Sequence, residues 1–167
     1  MLEVVTKHLG AFQFEVSARN HTIYSDQPAE NGGFDEGMTP PELMLGSLGA
    51  CASYYAVDYL KRAKVPAEGL RMRTTAEKVV GPPRLDDIHI ELECPGVVEE
   101  RHRKGLLETV RKCLIHNTLL HTPRIRLDFI APAMEKAASG GVNFDANGVQ
   151  SLRLPALADE LVPRTDS

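Results

Sequence analysis

The sequence predicts an α+β fold, with antiparallel strands interrupted by two helices and none of the regular alternation that builds a doubly wound parallel sheet. Two observations carry that reading. Period-two alternation of apolar and polar residues marks the first 25 residues, residues 70–94 and residues 124–130, the pattern of half-buried strands. Between them lie an uncharged stretch, Leu43 to Val57, and an amphipathic one, Val98 to Leu114, both of helical character.

The N-terminal strands, 1–25, are read from Phe12, Phe14 and Val16 alternating with Gln13, Glu15 and Ser17. A short strand around Thr22–Tyr24 follows a turn at Arg19-Asn20. Residues 26–38 hold Pro28, Gly32, Gly33 and Gly37 and read as a loop of the length that often carries function. A helix over 39–64 opens with Thr39-Pro40-Pro41-Glu42, a capping box with proline in the first turn. It is apolar all round as far as Val57, which predicts burial. Gly46 and Gly49 cost it about 1 kcal/mol each relative to alanine, consistent with close approach of another backbone.

Strands 70–94 follow, turning at Gly81-Pro82-Pro83, with Ile88, Ile90, Leu92 and Cys94 on one face. The second helix, 98–114, has Leu106, Val110 and Cys113 on its apolar stripe. Ile125, Leu127 and Phe129 mark a last strand, 124–130. One domain over 1–131 and a C-terminal tail over 132–167, with its Gly140-Gly141 pair, complete the reading.

The formal net charge of -4 lacks the basic surplus of a nucleic-acid binder. The basic residues Lys61, Arg62, Arg101, Arg103 and Lys104 read as solvated helix faces. No apolar run is long enough to span a bilayer and the N-terminus does not read as a signal peptide, so a cytoplasmic location is expected. Three cysteines without a Cys-x-x-Cys pair exclude a zinc ribbon and a thioredoxin-type site. His116 and His121 follow Cys113, but no further cluster supplies the three or four ligands zinc requires. Neither metal nor cofactor is expected.

Cys94 reads as a small hydrophobe on the apolar face of its strand. Cys51, about three turns into its helix, and Cys113 are open to two readings: core thiols or redox groups. Around them, Thr39-Pro40-Pro41-Glu42-Leu43 through Gly49-Ala50-Cys51, and Cys113-Leu114-Ile115-His116-Asn117-Thr118-Leu119, resemble the two cysteine motifs of the OsmC/Ohr family. Ser25-Asp26-Gln27-Pro28, Asn31-Gly32-Gly33 and Pro82-Pro83-Arg84 are similar to loops of its OsmC-like branch. The resemblance covers about Phe12 to Phe129.

The resemblance implies antiparallel sheets around a buried central cysteine helix, in an intertwined homodimer whose sites are lined by both chains. It also implies thiol-dependent reduction of organic hydroperoxides. Carried over, Cys51 is peroxidatic and becomes a sulfenic acid, and Cys113 resolves it to a Cys51–Cys113 disulfide. An external dithiol reductant, lipoyl-linked in the better-known members, restores the thiols. Arg19 is the residue that would stabilise the thiolate and peroxide, with Arg84 as the alternative. Glu42 is the candidate for the family's glutamate, although the matching position holds Pro41 and Glu42 also suits the helix cap. Leu114 stands where many members have proline. A non-enzymatic protein binding a hydrophobic small molecule at the dimer interface is the alternative function. Hydrolysis by a Cys51–His116 pair is a third, without nucleophile-elbow glycines or an orienting acid to support it.

Overall fold

The alternation of the first 25 residues becomes a three-stranded antiparallel meander of β1 (Val5–Gly10), β2 (Gln13–Ala18) and β3 (His21–Ser25). The computed structural model describes residues 1–130. The register sets Val16 opposite Thr6 on one side and Ile23 on the other. Val16 and Ile23 therefore share a face, as period-two strands require. The substantial contacts of these strands are with one another.

The loop that follows is organised by one carboxylate. Asp26 has no exposed surface. It accepts hydrogen bonds from the amides of Gln27 (2.8 Å), Phe34 (3.0 Å) and Glu36 (3.2 Å). Burial acts to raise its pKa; the amides of Gln27, Glu36 and Phe34 and the side chain of Gln13 outweigh that, so Asp26 titrates below the usual aspartate value. Gly33 completes the turn, since a Cβ there would run into the Gln27 carbonyl. Ser25 and Asp26 then tie back to the Met38 carbonyl, at 3.0 Å from Ser25 Oγ and 3.3 Å from the Asp26 amide. The chain thereby reaches the cap of the first helix in a fixed position.

Helix α1 spans Pro40–Ala63. Its capping box forms as expected: Glu42 Oε2 accepts from the Thr39 amide at 2.7 Å and from Thr39 Oγ1 at 2.8 Å. Lys64, left-handed at φ 57, ends it. The expectation that α1 is buried all round is corrected within the chain. Leu48, Gly49, Ala52, Ala56 and Leu60 are buried, whereas Met44, Ser47, Ala50 and Tyr54 are exposed. Residues four apart stack on one helix face, and the other elements of the chain cover that face alone.

Strands β4 (Arg71–Val80) and β5 (Pro83–Glu93) form an antiparallel hairpin, with Met72 opposite Leu92 and Thr74 opposite Ile90. β4 packs on α1, as does helix α2 (Glu100–Val110). Ala52, Ala56 and Leu60 meet Val97, Leu106 and Val110 in the core. Across the same interface the Tyr59 hydroxyl lies 3.1 Å from His102 Nδ1.

The single helix expected over 98–114 is instead two. After α2 the amides of Lys112 and Cys113 bond to the carbonyls of Thr109 and Val110, tightening the last turn. Cys113 is then extended (φ -56, ψ 130) and caps a separate helix, α3 (Leu114–Leu120). The strand expected over Arg124–Ile130 is not formed. Alternation alone does not make a strand without a ladder partner, and none pairs with it among the described residues. Met1–Thr122 is one compact unit, and Pro123 begins a second. The tail, 132–167, lies outside the described residues. No helix of the described residues is long and apolar enough to cross a membrane.

Leu60 is fully buried at the crossing of α1 and α2. Leu60→Ala is expected to cost about 2–5 kcal/mol, read as a lower urea midpoint at unchanged slope. The lowered Asp26 pKa has a definite sign in linkage. Its stabilisation is present above the ordinary aspartate value of 3.8 and is lost as the pH falls through the lower folded value. Asp26→Asn is expected to be less stable at neutral pH and to lack that acid-dependent loss, checked by urea unfolding at neutral and acid pH.

Candidate functional site

Cys51 lies one residue before Ala52 and three after Leu48, at the edge of the buried stripe of α1. That position leaves it half-buried. Cys113 sits at the junction of α2 and α3, both of which pack on α1, and has no exposed surface. The two thiols are close enough for Cys51 to act on the protonation of Cys113, and both are free cysteines. The structure thus brings together the two residues that the sequence singled out from different elements.

Their environments differ. Burial pushes the Cys113 thiol above its ordinary pKa, and the hydrogen bond with Cys51 pushes it further. The amides of His116 and Ile115 pull the other way without cancelling the rise. The His116 amide lies 3.5 Å from Cys113 Sγ. Cys113 is therefore a sealed, protonated thiol beside a partner that a small molecule can approach.

Arg19 is exposed at the β2–β3 turn in a left-handed conformation, φ 55. It is not among the groups that bear on the Cys113 thiol. Arg84, the alternative cation, pairs with Asp86 at 2.7 Å on β5. Glu42 precedes Cys51 by nine residues, which on a helix is about 13 Å along the axis and about half a turn around it. Its carboxylate is held by Thr39, whose amide and hydroxyl lower its pKa. Within its own helix it therefore faces away from the thiol.

Glu42 instead borders a groove of about 330 Å³ between α1 and β4, floored by Gly46, Gly49, Met72 and Thr74. Thr74 Oγ1 is buried there without a hydrogen-bond partner among the described residues. Cys94 is half-buried and borders a second cavity of about 310 Å³ with Leu92, Val97 and Leu106. Among the described residues no cluster of His, Cys, Asp and Glu could hold a metal ion.

Two features escaped the sequence reading. One is Asp26, the hub of the loop before α1; the turn-forming Gln27-Pro28 and Gly32-Gly33 that follow it were its signal. The other is the break at Cys113, which makes its sulfur a helix cap. Nothing in the pattern 98–114 marks it, because the apolar stripe continues through the junction.

A family model described as OsmC-like protein matches residues 33–128. No curated protein matches the chain. Among solved structures, the OsmC-like protein of Mycoplasma pneumoniae is 20% identical with a TM-score of 0.64, covering 73% of this chain and 89% of its own. An organic hydroperoxide resistance protein of Elizabethkingia anophelis is 18% identical, TM-score 0.54, over 73% and 91%. Another, from Legionella pneumophila, is 16% identical, TM-score 0.53, over 71% and 90%. At these identities the structures establish the fold. The family model spans more than half of the sequence and includes both Cys51 and Cys113, and the chain belongs to the OsmC-like protein family.

Proposed function

We propose that this protein is a thiol-dependent peroxidase that reduces organic hydroperoxides. The carrying observation is the contact between one accessible thiol, Cys51, and one sealed thiol, Cys113. Two proteins of the same fold are named for organic hydroperoxide resistance, which supports the substrate class.

In this reading the Cys51 thiolate attacks the terminal peroxide oxygen. The O–O bond breaks, the alkoxide leaves as an alcohol after taking a proton, and Cys51 becomes a sulfenic acid. Cys113 then displaces the sulfenic oxygen as water and closes the disulfide. An external dithiol, lipoyl-linked or of similar chemistry, returns both thiols. Such a cycle suits a reducing compartment such as the cytoplasm.

The roles are assigned by access. A peroxide can approach half-buried Cys51 but not Cys113, which burial also keeps protonated. A thiolate at Cys51 calls for a cation, and we assign it to Arg19. Arg19 lies on a sheet whose main contacts are internal, so the reading brings it to the thiol through assembly with a second copy. Glu42 contributes by fixing the start of α1.

The same reading includes a homodimer. Met44 and Tyr54 on α1 are 36% and 69% exposed, and Val5, Leu9 and Ile23 of the β1–β3 sheet are exposed as well. Apolar side chains left open on the helix and on the sheet call for a covering layer. The groove beside Gly46 and Gly49 offers a seat for one.

Cys51→Ser is expected to lose cumene hydroperoxide turnover by at least about a thousandfold, and Cys113→Ser to complete a single oxidation without recycling; full turnover by Cys51→Ser would refute the assignment. Light scattering is expected to give about twice the chain mass. A monomer at micromolar concentration would remove the two-chain site.

A further inference from the structure

Three histidines lie on the segment from α2 to α3, and two have their Nδ1 atoms engaged. His102 Nδ1 meets the Tyr59 hydroxyl at 3.1 Å. His121 Nδ1 meets the Asn117 carbonyl at 2.9 Å and must be the donor there. His116 differs: its Nδ1 is buried and has no hydrogen-bond partner among the described residues. A buried polar atom left in that state costs stability and calls for an explanation.

The position of His116 supplies one. Its main-chain amide donates to Cys113 Sγ at 3.5 Å, which holds the residue at the sealed thiol, while its Nδ1 makes no hydrogen bond to that sulfur in the reduced structure. Cys113 has no exposed surface. Burial and Cys51 both favour its protonated form. For its sulfur to attack, a proton must leave through protein rather than into solvent.

Other acceptors are poorly placed for that task. At the α2–α3 junction the neighbouring charged groups are Arg111 and Lys112, both cations and both exposed. α1, which packs on α3, carries Tyr54, Tyr55 and Asp58 at helical spacing from Cys51. The tyrosines are weak bases, and Asp58 is paired with Arg62 at 2.9 Å. Imidazole is the side chain suited to accept and return a proton near neutral pH.

We infer that His116 is the base that receives the Cys113 proton as the disulfide closes. The inference rests on the peroxidase reading above. With its ring proton on Nε2, the neutral imidazole presents Nδ1 as an acceptor. The thiol proton passes to Nδ1 as Cys113 Sγ attacks Cys51 Sγ. The S–S bond forms and the S–O bond of the sulfenic acid breaks. The departing hydroxide takes the proton back from Nδ1 and leaves as water. The sulfenic sulfur is reduced, the Cys113 sulfur is oxidised, and His116 ends unchanged.

The test follows the two steps separately in the full chain after one equivalent of cumene hydroperoxide. Dimedone trapping reads the Cys51 sulfenic acid, and intact mass reads the loss of two hydrogens on disulfide closure. Both are measured across the neutral pH range in the wild type, H116N and H116Q, with circular dichroism to confirm the fold. The expected result is unchanged Cys51 oxidation, disulfide closure slowed about 10²-fold in both variants, and a changed pH profile of closure, since ionisation of the Cys113 thiol alone then sets it. Closure within about threefold of wild type in both variants, with the same pH profile, would overturn the inference. Normal closure in H116N with slow closure in H116Q would assign the ring a packing role and equally overturn it. A wild type that forms no sulfenic acid at Cys51 would instead remove the peroxidase reading, and this inference with it.

Discussion

Everything placed near the candidate site depends on one stripe of α1. Leu48, Ala52, Ala56 and Leu60 recur at four-residue spacing and are buried against the rest of the chain. Two of the four are alanines, so the partner elements can approach the helix axis closely. Gly49 extends that approach toward β4, where a Cβ would press on Thr74 Oγ1. With α2 drawn onto this stripe through Leu106 and Val110, the chain that leaves α2 is delivered beside Cys51. The thiol pair is thus a consequence of helix packing.

The same stripe explains what the chain leaves uncovered. A helix can bury only the side that its own chain covers, and α1 keeps Met44 and Tyr54 in the open. The β1–β3 sheet is in a similar position, since its principal contacts are among its own strands. A twisted sheet with apolar residues on show is stable when another layer covers it. The two uncovered surfaces are complementary problems, and a second copy would present the same two. That symmetry is the physical argument for an isologous pair.

Legibility followed the range of the forces involved. The capping box at Thr39–Glu42 and the alternation of Ile88, Ile90 and Leu92 are local effects, and both appear where the residues placed them. The pairing of Cys51 with Cys113 was legible through family resemblance, because nothing local links residues so far apart in the chain. The break before α3 was illegible. Leu106, Val110 and Cys113 are all buried, so the stripe is real, yet the backbone turns at Cys113 and the sulfur takes over as cap. The strand expected at 124–130 failed for the opposite reason. Its alternation is clear, but a strand is defined by its neighbour, and one chain's pattern does not supply it. Asp26 shows a third limit: three amides converge on it from a loop whose shape the sequence implies only through its glycines and proline.

The inequality of the two thiols decides the order of events in the proposed cycle. If both were open, peroxide could oxidise either, and each could pass on to sulfinic acid. Here the second sulfur has no exposed surface. A sulfenic acid formed on Cys51 would find a thiol already in contact, and an intramolecular partner so placed competes strongly with a second molecule of peroxide. The burial that gives Cys113 this advantage also raises its pKa and holds back the attack it is placed to make. A sealed resolving thiol therefore requires an internal proton acceptor, and His116, held at Cys113 Sγ by its main-chain amide, carries the unpartnered imidazole nitrogen that the inferred step uses.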